Sequence, residues 1–314
     1  MNRRTALKLT AGTAAAVASR SNLAMADDAP NWKTAIGLNG FMSSARKYDK
    51  SFPIWEVLDY ASRAGFDGVE LVRGWPEGGY PAPDQSARIA ALKRLYDAYG
   101  LRVFSLQTGA GGAFSANADA RKRWVNQMRN QLTFAKAIGC DCVGMWPGGR
   151  LRGQTINEAI RRISASFLEV AKIGDDLGLI TAFEIEPPFV FNTEEHLKRI
   201  LEEANDPRVK TIYDSSHFDL FNGSTGKPHE LLKRIGVEHI GYVHFTDTDG
   251  TILDGGTSKH LAAGDGHIDV AASFKTLKDG GFNGWIMIDT WQIPDPYDAS
   301  TKGLEAIRRS VKSG

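Results

Sequence analysis

Beyond residue 33 the chain alternates between two hydrophobic patterns. Short apolar runs rich in β-branched residues fall at 34–38, 68–72, 102–107, 141–146, 180–185, 209–213, 240–245 and 285–289. Runs of this length, bounded by turn residues, read as buried strands. Between them apolar residues recur every three to four positions. Ile54, Val57, Leu58 and Ala61 share one face of a segment spanning 54–64. The same period predicts helices over 88–99, 121–138, 156–177, 194–204, 229–235, 270–279 and 304–311. Thr193, Asp269 and Ser300 stand at expected N-cap positions, and Gly65, Gly100, Gly139, Gly178 and Gly280-Gly281 at helix ends.

Eight strands alternating with eight helices predict an α/β fold, a single (β/α)8 barrel over 27–314. The open doubly wound alternative would normally announce a phosphate loop, and no G-x-G-x-x-G follows the first strand. The glycine-rich stretches 74–83, 109–112 and 147–149 all follow strands. In a barrel they become loops on the C-terminal face, where chemistry is built.

Four ionisable residues end four successive strands: Glu184, Asp214, His244 and Asp289. Strand alternation places Ala182, Glu184 and Glu186 toward the barrel interior, with Phe183 and Ile185 toward the helices. Three carboxylates gathered without a cation would repel one another. With one imidazole they form an oxygen-rich donor set, which predicts one divalent metal ion: Mn2+ first, with Mg2+, Co2+, Fe2+ or Zn2+ as alternatives. Glu70 and Gln107 end strands two and three and are read as substrate contacts, and so is His260, in the loop after strand seven. Trp75, Trp146 and Trp291 follow strand ends and could wall a sugar ring. His196, His229 and His239 fall in or beside helical patterns away from the mouth. Cys140 and Cys142, two apart on one apolar run, read as buried small hydrophobes sharing a strand face.

Phe-Glu-Ile-Glu-Pro (183–187), Tyr-Asp-Ser-Ser-His (213–217), Val-His-Phe-Thr-Asp (243–247), Ala-Gly-Asp-Gly-His-Ile-Asp (263–269) and Met-Ile-Asp-Thr-Trp (287–291) resemble the xylose isomerase-like barrels, the sugar phosphate isomerase/epimerase group. The resemblance extends over 34–311. It implies Glu184, Asp214, His244 and Asp289 as metal ligands, His217 as a contact to substrate hydroxyls and Glu186 as a substrate or proton-transfer group. It further implies a sugar isomerase or epimerase that abstracts a proton next to a carbonyl through an enediolate, with Glu184, Glu186 and Asp289 as the catalytic carboxylates. One departure stands out. The family's ketose epimerases carry glutamate at the strand-eight position, where this chain has Asp289, one methylene shorter. That keeps open a lyase or dehydratase acting on a keto-glycoside or inosose.

Other classes fit less well. The family's abasic-site nucleases use more histidines and a basic face, whereas this chain has 7 His and a net charge of +1. A metal-dependent hydrolase of another kind and an exported sugar-binding protein remain alternatives; the binder would not need a charged cluster at its centre. The expected partner is a small sugar or polyol, with no nucleic acid, no membrane span and the oligomeric state left open.

The first 26 residues carry Arg3, Arg4, Lys8 and Arg20, no acid, and a weakly apolar stretch before Ala24-Met25-Ala26. They resemble a twin-arginine leader with a small-x-small cleavage site, which implies export to the periplasm or beyond. Its removal lowers Lys+Arg from 38 to 34 against 37 Asp+Glu, leaving the mature chain near −3. The mature N-terminus is expected at Asp27, and a double variant Arg3→Lys/Arg4→Lys is expected to stay in the cytoplasm. Cell fractionation with N-terminal sequencing checks this; normal export of the double variant contradicts it.

Overall fold

The computed structural model describes residues 30–72, 79–253 and 256–312. The expected leader, 1–26, and Trp75 lie outside them. Eight parallel strands close into one barrel in sequential order, with β8 returning to β1. The strands are β1 (Lys33–Gly37), β2 (Gly68–Val72), β3 (Arg102–Gly111), β4 (Cys142–Gly148), β5 (Ile180–Phe183), β6 (Lys210–Asp214), β7 (Ile240–Phe245) and β8 (Trp285–Ile288). The helices are α1 (Leu38–Tyr48), α2 (Ile54–Ala64), α3 (Ser86–Asp97), α4 (Ala118–Ile138), α5 (Ile156–Asp176), α6 (Glu194–Ala204), α7 (Ser215–Phe221), α8 (Pro228–Ile235), α9 (Val270–Asp279) and α10 (Pro296–Lys312). No described helix is long and apolar enough to cross a membrane.

Every expected strand exists, but two helices were not anticipated. The first is α1, which starts at Leu38, directly off β1. The second is the one-to-two-turn α7, capped by Asp214. The final helix begins at Pro296, so Ser300 is buried inside it and is not its cap. Thr193 and Asp269 do cap their helices, accepting the N–H groups of His196 and Ala272.

Two apolar layers hold the barrel. Ala35, Phe104, Cys142, Ala182, Ile212, Tyr242, Trp285 and Met287 fill the interior. Phe104 stacks on Trp285, ring centroids 4.6 Å apart, and meets Tyr242 edge-on. Phe183 and Ile185 belong to the layer between strands and helices. There Phe183 stacks on Phe167 of α5 at 4.7 Å. The cysteines divide between the layers, Cys142 inside and Cys140 outside, because Cys140 precedes β4 in a turn. The expectation that they share a face is therefore corrected; both are free and buried.

Two register shifts decide which side chains point inward. On β3, Val69 pairs with Val103 but Glu70 pairs with Ser105, so Phe104 is the extra residue. On β7, Thr211 pairs with Ile240 but Ile212 with Tyr242, so Gly241 is extra. A one-residue slip flips every later side chain to the other side of a sheet. Past these bulges Gln107 of β3 reaches Tyr242 and His244 of β7 reaches Glu184, all four side chains meeting inside the barrel. Gly241 tolerates no side chain, because a Cβ there would lie 2.8 Å from that of Ala182.

The long loop after β7 folds back onto the barrel through Asp247. Its buried carboxylate accepts the N–H groups of Thr248, Gly264, Gly266 and Ile268 at 2.8–3.1 Å. This latch holds the segment that carries Thr257, Ser258 and His260. Asp247→Ala leaves buried donors unmet and is expected to cost about 3 kcal/mol. Denaturant unfolding checks it, as a lowered midpoint at unchanged slope; a cost under about 1 kcal/mol contradicts the latch.

Candidate metal centre

Each strand end delivers one polar group, and the backbone around it explains its aim. Asp214 is the N-cap of α7. Its Oδ1 accepts the N–H of Ser216 at 2.8 Å, the N–H of His217 at 3.0 Å and the Ser216 hydroxyl at 2.6 Å. Capping therefore consumes one oxygen, and Asp214 Oδ2 is buried with no hydrogen-bond partner. Asp289 Oδ1 accepts the N–H of Trp291 at 2.9 Å, while Oδ2 lies 3.5 Å from Asn39 Nδ2. Glu184 Oε2 accepts from Gln107 Nε2 at 2.8 Å and from Trp146 Nε1 at 2.7 Å, leaving Oε1 to face His244 Nδ1 at 2.9 Å. On its other side His244 Nε2 lies 3.1 Å from Glu70 Oε2.

The structure thus brings Glu184, Asp214, His244 and Asp289 to one place. Ligating atoms of the first three lie within 4.8 Å of one another. Asp289 Oδ2 is 3.9 Å from His244 Nδ1. Glu70 and Gln107, expected at strand ends as substrate contacts, lie within β2 and β3. They stand behind His244 and Glu184, both fully buried, and fix the orientation of those side chains. A cavity of about 240 Å³ opens against the cluster, lined by Asn39, Trp146, Glu184, Glu186, Pro188, Thr257, His260, Trp291 and Gln292. Glu186 Oε2 accepts from Thr257 Oγ1 at 2.8 Å and lies 3.4 Å from His217 Nε2. His217 Nδ1 meets Ser258 Oγ at 2.8 Å, and Ser258 meets Ser216 at 2.7 Å. His260 lies 3.7 Å from Asp289 and has no hydrogen-bond partner on either ring nitrogen.

Burial and neighbouring charge set the direction in which each group's pKa moves. Burial opposes a charge on His244, but Glu184 and Glu70 outweigh it and lift its pKa well above the ordinary value. Burial likewise opposes charge on Asp289, yet His260 and His244 hold its carboxyl below the usual range. His260 rises to about 8, burial being overcome by Asp289. Burial raises Glu186, with the neighbouring His217 opposing.

This donor set fits a divalent cation. The buried Asp214 Oδ2 lacks any hydrogen-bond partner, and His244 Nδ1 faces the carboxylates of Glu184 and Asp289 at 2.9 and 3.9 Å. Glu70 behind Nε2 is the carboxylate–histidine arrangement that keeps the opposite nitrogen available for a metal. A second group, Asp214 with His217 and His260, also brings ligating atoms within 4.8 Å. The sequence gives no sign of Asn39, Thr257, Ser258 and Gln292, which lie in a helix start and in loops.

Residues 58–310 match the family model for a xylose isomerase-like TIM barrel. The chain belongs to that family. It is 23% identical over 279 residues to an L-ribulose-5-phosphate 3-epimerase of Escherichia coli, 85% of this chain and 95% of that one. It is 21% identical over 283 residues to an inosose dehydratase of Klebsiella pneumoniae, covering 82% and 89%. The crystal structure of the IolI protein, which holds a zinc atom, superposes with a TM-score of 0.70 at 17% identity, covering 90% of this chain and 98% of that one. Two members of the xylose isomerase-like family that this chain resembles are thus named as a sugar-phosphate epimerase and an inosose dehydratase.

If Glu70 orients His244 for a metal, Glu70→Gln is expected to weaken Mn2+ binding by about 10- to 100-fold, the usual cost of losing such a supporting group. Titration calorimetry checks it; an unchanged affinity contradicts that role.

Proposed function

We propose that this protein is a divalent-metal-dependent enzyme that moves a proton on the carbon beside the carbonyl of a sugar or sugar-like ketone, as an isomerase or epimerase does. The supporting observation is the placement of Glu186. It lines one cavity with Glu184 of the four-residue cluster, is hydrogen-bonded by Thr257, touches His217, and is bonded to none of the four. Glu184, Asp214, His244 and Asp289 would hold the metal: Mn2+ by the oxygen-rich donor set, with the zinc of the IolI protein supporting a divalent ion more generally. When bound, that ion polarises a carbonyl and an adjacent hydroxyl.

The chain's own groups do the rest. Trp146 and Trp291 wall the cavity and give a sugar ring apolar faces. His217 and His260 offer ring nitrogens to hydroxyls. Glu186 accepts the proton, within reach of His217, which steadies the carboxylate. Gln107 and Glu70 bind no substrate in this reading; they hold Glu184 and His244 in place. Export through the Arg3-Arg4 segment belongs to the same proposal and would place the enzyme outside the cytoplasm.

A specific observation favours the dehydratase alternative. Asp289 is short, is held by the N–H of Trp291, and stands beside His260. Epimerisation needs an acid on each face of the carbon, and Asp289 is poorly free to serve. Glu186, His217 and His260 could instead remove a proton and protonate a leaving hydroxyl.

Both routes share the first proton removal, so exchange with solvent tests them together. The Mn2+-loaded protein is expected to wash solvent deuterium into keto-sugars or inososes. Glu186→Gln should keep the metal and lose turnover by about 10²- to 10⁴-fold. A variant that exchanges at the parent rate, or one that loses the metal, contradicts the assignment.

A further inference from the structure

The cavity against the four-residue cluster measures about 240 Å³. That is below the roughly 300–1,000 Å³ of ordinary small-molecule sites. A second hollow of about 460 Å³ adjoins it, lined by Ser43, Arg46, Lys47 and Leu253. The two share Trp291 and Gln292 as walls. Together they reach the usual range, so a ligand longer than one sugar ring has room if it spans both.

The threshold between them is built with unusual firmness. Gln292 adopts a left-handed backbone with φ 54, a conformation that costs a non-glycine residue about 1 kcal/mol or more. Three bonds to one helix hold it there. Its N–H donates to Ser43 Oγ at 2.8 Å, its carbonyl accepts from Tyr48 Oη at 2.9 Å, and its Oε1 accepts from Lys47 Nζ at 3.0 Å. All three partners lie on α1. Strain that surrounding groups over-determine is a common mark of a binding threshold.

The second hollow is cationic. Arg46 and Lys47 line it, and among the described residues no carboxylate does. Arg46 forms no ion pair among the described residues. Cations in the last turn of α1 complement that helix's C-terminus, as they do in many helices. Helix-end electrostatics alone does not require a hollow beside them, nor a lysine bonded to the residue that walls the metal chamber.

We propose that this second hollow is an anion subsite, which takes the charged tail of a sugar whose carbonyl end lies against the four-residue cluster. The tail chemistry is a phosphate ester or a carboxylate, for which paired Arg and Lys donors are suited. The proposal rests on the reading of the metal centre as a sugar site. Trp291 then covers the ring, and Gln292 turns the chain toward Arg46 and Lys47.

Calorimetric titration of the Mn2+-loaded protein with four unreactive probes tests it: sorbitol, sorbitol 6-phosphate, gluconate and the neutral disaccharide alcohol maltitol. The expected result is that at least one anion binds about tenfold or more tighter than sorbitol, a gain typical of a charge-assisted contact. Which anion gains tells phosphate from carboxylate. In the double variant Arg46→Glu/Lys47→Glu that advantage should vanish, with Mn2+ content read alongside as a check on folding. An advantage that survives in the variant overturns the proposal, because the anion is then held elsewhere. Tightest binding by maltitol also overturns it and assigns the hollow to a second neutral sugar. Protein that binds Mn2+ but none of the four probes overturns the sugar-site reading itself.

Discussion

Five carboxylates crowd one end of this barrel, and three imidazoles are set against them. Glu70, Glu184, Asp214 and Asp289 are almost entirely buried, and Glu186 lines one cavity with Glu184. Buried like charges cannot coexist without compensation; they protonate, pair or gather a cation. Here the pairing is visible. His244 lies between Glu70 and Glu184, His260 beside Asp289, and His217 between Glu186 and Asp214. The compensation is incomplete, since Asp214 Oδ2 is left without a hydrogen bond. A divalent ion bound there would complete it, which makes charge the first physical argument for a metal.

That requirement reaches into the backbone. For Glu184 to turn one oxygen toward His244, its other oxygen must be held, and Gln107 and Trp146 hold it. Gln107 is in turn held by Tyr242, whose hydroxyl donates to its Oε1 at 3.1 Å. These groups meet because one bulge advances β3 and another advances β7. Gly144 makes room for them: a Cβ there would overlap both the Gln107 amide and the Tyr242 hydroxyl. A barrel without those bulges would point Gln107 and His244 toward the helices, and the cluster would fall apart.

Much of this was legible in the sequence. Eight apolar runs alternating with helical periods gave the barrel, and strand-end polar residues gave the cluster, because both follow from a side-chain period of two and a helical period near 3.6. The pairing of Glu184 with Glu186 around an outward Ile185 came from the same alternation. What stayed hidden depends on register. Gly241, an isolated glycine in a strand run, is the one hint of a bulge, and nothing around Phe104 announces the other, so Glu70 and Gln107 read as strand-end substrate contacts and not as supports. Asn39 and α1 were missed because the apolar run through Leu38 continues the strand pattern, while the backbone already turns into a helix there. Thr257 and Ser258 sit in a loop held by Asp247 across many residues, and no local pattern reports so distant a tether.

The central claim is that Glu184, Asp214, His244 and Asp289 together hold one divalent ion. Crystals of the protein loaded with Mn2+, with diffraction recorded on both sides of the manganese absorption edge, test it most directly. One anomalous peak within bonding distance of all four side chains is the expected result, at about 2.0–2.3 Å from their ligating atoms as for comparable first-row ions. A peak between Asp214, His217 and His260 instead, or none at the mouth of the barrel, contradicts the account.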